Sequence, residues 1–207
     1  MLPGSVLCAY PTGGVSPVGA AGWALCALDP AAVMPAGWLL GPNAAGDGPV
    51  LASAGLFLVP DRPVGPGPVS ALSLMATGLA IMGGVEVSGA DGCPTGVVTG
   101  PRLGPAAGMN LSLIGLLLDV SGQQVATACG ASAAGHPAAA VAAGLSDRRA
   151  DQLAAGAVEA GALETDQLDA GTMIFSGRWT APIPVPAGSH LTASFGHLGS
   201  VTLRVSR

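Results

Sequence analysis

The chain has 207 residues, half of them hydrophobic and only 9% charged, with 33 Gly, 18 Pro and a formal net charge of −5. That length is enough for one domain, residues 1–207, with a substantial core, and so apolar a chain is unlike the polar, highly charged ones that stay disordered. Its seven cations are all arginines, scattered singly apart from Arg148-Arg149, so no basic patch exists to meet nucleic-acid phosphates or an anionic membrane surface.

Residues 1–50 carry short apolar pieces broken by Gly and Pro, and irregular structure with short strands is expected there. Residues 51–60, LASAGLFLVP, predict a strand, followed by the turn DRPVGPGP. The spacing of apolar residues in VSALSLMATGLAIM, with a Ser at its start, predicts a helix over about 69–80. GGVEVSG predicts a short strand carrying Glu86, and PTGVVTGP a short strand or turn. LSLIGLLLDV and QQVATACG flank Val120-Ser121-Gly122, the pattern of a hairpin. A helix is expected to start after Gly135-His136-Pro137, and Ser146-Asp147 reads as the N-cap of a second helical stretch. TMIFSG, SHLTASF and SVTLRV read as three strands separated by turns at Pro186-Ala187-Gly188 and near Gly196 and Gly199. The mix is α+β, with sheet dominant in the C-terminal half.

The four cysteines, Cys8, Cys26, Cys93 and Cys129, form no CxxC pair and have no histidine at ligand spacing, so they are expected to be small buried hydrophobes in a reducing compartment. MLPGSVLCAY has no basic region and too short an apolar run for a signal peptide, and no apolar stretch reaches the length of a membrane span. A soluble, cytoplasmic protein is expected.

Several short elements in one order carry a family resemblance. They are FLVPDRPVGPGPVSALSLMATGLAIMGGVEV, the hairpin, Gly135-His136-Pro137, AGTMIFSG and PAGSHLTASFGHLGSVTLRV. The chain resembles the 2-oxopent-4-enoate hydratase / 4-oxalocrotonate decarboxylase family of the fumarylacetoacetate-hydrolase-like superfamily. The resemblance implies a mixed β-roll or sandwich with flanking helices and, here, a shortened N-terminal part. It also implies what is lost. The family relies on a lysine and on carboxylates holding a divalent metal, and this chain has no lysine. The family's lysine position in "G-R-K-V-G-L" is matched by Ala24 of GWALCAL. Its "E-A-E" falls on Ser53-Ala54-Gly55. Only the third carboxylate, in "L-E-V-V", is matched, by Glu86; the following "D-N-A-S" is loosely matched by Asp91-Gly92-Cys93-Pro94. One carboxylate cannot hold Mg²⁺ alone, so no metal and no other cofactor is expected.

The candidate residues follow from this matching. Glu86, in an apolar strand, is either a solvent-facing strand residue or a buried acid in a pocket. Glu86, Asp91 and Arg178 are the candidates for catalysis, with Arg178 placed to bind a carboxylate or polarise a carbonyl. His136, Ser176 and Trp179 are the candidates for substrate contact, although a His before a helix-initiating Pro also serves the helix start, and a Trp also serves the core. The expected function is a metal-independent lyase, isomerase or cyclase acting on an enolisable, largely apolar small molecule. The alternative is an inactive relative that partners or scaffolds a related enzyme or further copies of itself.

Overall fold

The structure is a computed structural model and describes residues 6–12, 22–41, 49–65, 68–89, 94–106, 108–154 and 168–207. Eight strands build the first sheet: β1 (Val6–Thr12), β2 (Gly22–Leu28), β3 (Val33–Pro35), β5 (Val50–Val59), β6 (Ala80–Ser88), β7 (Pro94–Thr99), β10 (Met173–Phe175) and β11 (Ile183–Val185). They run in the order β2-β1-β10-β5-β6-β7-β3, with β11 continuing beside β10 along the same edge of β5. Five strands build the second sheet: β4 (Trp38–Leu40), β8 (Gly115–Val120), β9 (Gln123–Cys129), β12 (His190–Phe195) and β13 (Ser200–Val205), ordered β4-β13-β12-β8-β9. The β1–β10, β3–β7 and β4–β13 pairs are parallel and the rest antiparallel. Among the described residues two α-helices, α1 (Ala71–Met75) and α2 (Pro137–Ala154), accompany the sheets.

The pattern of burial explains the layering. In β8, Leu116 and Leu118 are buried while Gly115 and Leu117 are exposed, the alternation of a sheet with one wet face. Every residue of β6 and nearly every residue of β5 is buried, so both faces of those strands are covered. One face carries Ala54, Leu56, Ile81 and Val85 against Leu118, Leu191, Phe195, Val201 and Leu203 of the second sheet and against α1 and α2. The other face carries a separate cluster of Phe57, Val59, Ala80, Met82, Val97 and Phe175. The first sheet is rolled, bringing β2 near one end onto β7 near the other, and this second cluster lies on the rolled face.

The strand at 51–60 and the central hairpin form as the sequence predicts. In the hairpin Val120 faces Gln123, and Ser121 and Gly122 both have positive φ (51° and 87°), which a two-residue connection of right-handed strands requires. Gly122 N–H donates to Asp119 Oδ1 at 2.7 Å and closes the turn. The expected helix at 69–80 shrinks to α1. Ser70 and Ser73 cap each other reciprocally at its start, and Gly78 (φ 79°) breaks it, so Ala80 and Ile81 enter β6 instead. Ser146 caps no second helix. α2 runs through it, and its hydroxyl donates to Ala142 O inside the helix. Sheet dominates the C-terminal half as expected, and it also dominates the N-terminal half, from which the first sheet draws six of its eight strands. Asp91 and Cys93 lie outside the described residues, as do the side chains of Ala24, Cys8 and Cys26; Cys129 is a free, half-buried thiol.

Candidate functional site

Glu86 is a buried acid. It sits mid-strand in β6, is 0% exposed, and shares the rolled face with Met82 and Gly84, its neighbours at alternate positions. Across β5 it faces Ser53, and across β7 it faces Val97. A carboxylate in so apolar a setting needs a partner, and Arg178 supplies one. Arg178 Nε lies 3.1 Å from both Glu86 oxygens, and Nη2 lies 2.5 Å from Oε1. The Arg178 side chain is 16% exposed, so the pair is buried at its carboxylate end and open towards solvent at its guanidinium end.

The position of Arg178 follows from an irregular crossing between β10 and β11. There the chain leaves ladder pairing but stays tied to β5: Ser176 N–H donates to Leu56 O at 2.8 Å and Trp179 N–H to Ala54 O at 2.9 Å. Arg178 thus starts on one side of β5 and reaches a carboxylate on the other side, a span of about two strand spacings of ~4.8 Å. On that face β5 presents Ser53 and Gly55, with Gly84 opposite Gly55 on β6. A Cβ on Gly55 would run into Gly177 O and sit 3.0 Å from the Phe175 ring, and one on Gly84 would meet the Phe57 ring. The importance of Ser53, Gly55 and Gly84 was hidden in the sequence, where the first two register only as mismatches to acidic positions. Their signal is register: Ser53 lies opposite Glu86, and Gly55 lies opposite Gly84.

The remaining candidates are placed apart from this pair or turned from it. Ser176 is fully buried, and its Oγ accepts from Leu56 N–H at 3.3 Å, so the hydroxyl is tied to the β5 backbone. Trp179 is only 3% exposed and turns towards the second sheet, edge-on to Phe195 with ring centroids 6.1 Å apart. Its indole Nε1 and the neighbouring Thr180 Oγ1 are buried with no hydrogen-bond partner. His136 stands at the start of α2, where Nδ1 accepts from Ala138 N–H at 3.1 Å and its backbone carbonyl accepts from Ala139 and Ala140. None of its hydrogen bonds leads to Glu86 or Arg178, and burial pushes its pKa below the usual imidazole value.

The divalent metal that the resemblance implies does not fit the described donors. Among the described residues no three His, Cys, Asp or Glu side chains come together as a metal ion would use them. A cation at Glu86 would also have to share its carboxylate with a guanidinium that already engages both oxygens. What the arrangement can do is present a fixed positive charge, backed by a buried carboxylate, at the edge of an apolar face.

No protein-family model matches the chain. It is 29% identical over 120 residues to the 4-oxalocrotonate decarboxylase of Pseudomonas sp. (strain CF600), a stretch covering 58% of this chain but only 40% of that relative. The solved structure of 4-oxalocrotonate decarboxylase from Pseudomonas putida G7, complexed with calcium and acetate, superimposes with a TM-score of 0.76 at 21% identity, over 99% of this chain and 78% of the other. Fumarylpyruvate hydrolase from Pseudomonas aeruginosa, in complex with Mn²⁺ and pyruvate, gives 0.70 at 14% identity, over 98% and 89%. No helix among the described residues is long and apolar enough to cross a membrane. The chain has the α+β fold of the fumarylacetoacetate-hydrolase-like proteins and, in sequence, resembles the 4-oxalocrotonate decarboxylases.

Proposed function

We propose that the chain is a lyase-, isomerase- or cyclase-type enzyme that acts on an enolisable, largely apolar small molecule without a divalent metal. The observation that carries this reading is the Glu86–Arg178 pair on the rolled face. Enzymes of this shape include proteins solved with Ca²⁺ and acetate and with Mn²⁺ and pyruvate. In those complexes a cation and an oxyanion-bearing ligand go together. In this chain the guanidinium supplies the positive charge. Arg178 binds the carbonyl oxygen that gains negative charge as a base, for which Asp91 is the candidate, takes the proton from the neighbouring carbon, and it does so without reorganising at the moment of reaction. Glu86 fixes the guanidinium plane through two oxygens and neutralises it in the ground state. Asp91 is retained as a candidate for proton transfer, whereas Ser176, tied to the β5 backbone, Trp179, packed on Phe195, and His136, at the start of α2, have no part in this reading. The buried side chains of Phe57, Met82, Val97 and Phe175 give the pair apolar surroundings, which support a largely apolar substrate.

The test is ultraviolet-monitored turnover of a 2-hydroxydienoate and of a panel of apolar β-dicarbonyl compounds, with Mg²⁺ or Mn²⁺ and with EDTA. The expected outcome is consumption of an apolar β-dicarbonyl that EDTA leaves unchanged and that Arg178→Met lowers by about 10²–10³ in kcat, the loss typical of one oxyanion donor. Metal-dependent consumption of the dienoate would sink the proposal. The closeness of the pair also favours a second reading, in which Arg178 and Glu86 only stabilise a non-catalytic partner subunit. Absence of turnover across the panel, together with unchanged binding of those compounds in Arg178→Met, would select it.

A further inference from the structure

A second convergence of polar groups lies on the other sheet. Register places Leu39 of β4, Arg204 of β13 and His190 of β12 in one cross-strand row, and all three are exposed. Beside this row the side chain of Arg207 folds over Gly188. A Cβ there would lie 3.0 Å from Arg207 Cγ and 3.3 Å from Nε, and the φ of +80° also calls for glycine. With Ser189 and Ser206 these residues line an open groove of about 480 Å³.

The described side chains that line this groove include cations and no anion. The other arginines with described side chains each have a partner: Arg62 donates to Ala76 O, Arg102 pairs with Asp61, and Arg178 pairs with Glu86. Arg204 and Arg207 make no hydrogen bond or ion pair among the described residues, and no carboxylate side chain lines the groove. In a chain of net charge −5, two guanidiniums thus line one groove. Each guanidinium offers a planar fork matched to carboxylate or phosphate oxygens. The Ser189 and Ser206 hydroxyls add further donors, and exposed Leu39 forms an apolar wall.

We propose that this groove binds a small organic dianion, a phosphomonoester or a dicarboxylate, whose apolar body rests on Leu39. The site is on the second sheet and does not depend on the Glu86–Arg178 chemistry. Isothermal titration of the whole chain with phenyl phosphate and with isophthalate, at constant ionic strength and with benzyl alcohol as neutral control, tests it. Saturable binding of at least one anion is expected, and the preference between the two identifies the headgroup. Arg204→Gln and Arg207→Gln should each weaken it about tenfold or more, whereas Arg102→Gln should not. Leu39→Ser should weaken phenyl phosphate but not inorganic phosphate. Arginine Nε–Hε resonances of the unmutated chain, two of which should shift on titration, report the same event without any variant. No saturation at millimolar anion, or binding that persists in the Arg204→Gln/Arg207→Gln double variant, would overturn the proposal.

Discussion

Arg178→Met leaves the wholly buried Glu86 carboxylate without its guanidinium, and stranding a buried charge costs about 3–5 kcal/mol. The double variant Glu86→Met/Arg178→Met removes both charges and should recover much of that loss, because a buried ion pair is often replaceable by apolar side chains. Urea denaturation of the three chains checks this, and additive effects would mean that the two residues are not coupled. At His136 burial lowers the folded-state pKa, so the unfolded chain binds more protons from about pH 6.5 downwards. Stability therefore rises with pH through that interval: the contribution is fully present above the unfolded value and is lost as the pH falls below it. Protonation of Nδ1 would also remove the acceptor that Ala138 N–H uses. His136→Asn keeps a capping acceptor without a titrating ring. The unmutated chain should accordingly lose stability relative to His136→Asn on going from about pH 8 to about pH 5.5, and equal slopes would contradict the assignment.

At the scale of elements, the decisive feature is how little space β5 leaves on the face that Arg178 crosses. A methyl group at Gly55 collides with a backbone oxygen, Gly177 O, which cannot swing away as a side chain tip can. Gly55→Ala should therefore cost about 1–3 kcal/mol and displace the crossing between β10 and β11, lowering any Arg178-dependent turnover as well. Gly104→Ala, at an exposed position with nothing within 4 Å of the added atom, is the control and should stay within about 0.5 kcal/mol. Paired thermal melts of these two variants separate the local collision from a general intolerance of glycine substitution. The length of α2 is likewise an element-scale outcome. Pro137 and the His136 cap define its start, and nothing at Ser146 interrupts it, since a hydroxyl can bond back to the preceding turn without breaking the helix.

Across the whole molecule the two sheets meet at Phe195. It packs over Gly83, where a Cβ would lie 2.5 Å from its ring, and edge-on to Trp179. Phe195→Ala would empty that junction and should cost about 3–5 kcal/mol, measurable as a lower urea midpoint with an unchanged slope; a change below about 1 kcal/mol would mean that the sheets close over the gap. How much of this was legible in the sequence differs by level. An apolar run beside a Gly-containing turn announced β8 and its hairpin, and the ordered motifs announced the fold, because each is a local or collinear signal. Glu86 stood out as the one acid matched to a family position, and Arg178 as a cation after a strand end. What the sequence could not decide is that these two residues, 92 positions apart, meet on one face. It could not decide either that Trp179, next in the chain, turns to the opposite side, or that Gly177 O and the Phe175 ring come so close to Gly55 that no side chain fits there. Those facts depend on strand order and register. Both are chosen by the packing of the rolled sheet as a whole, since a shift of one residue would exchange the two faces.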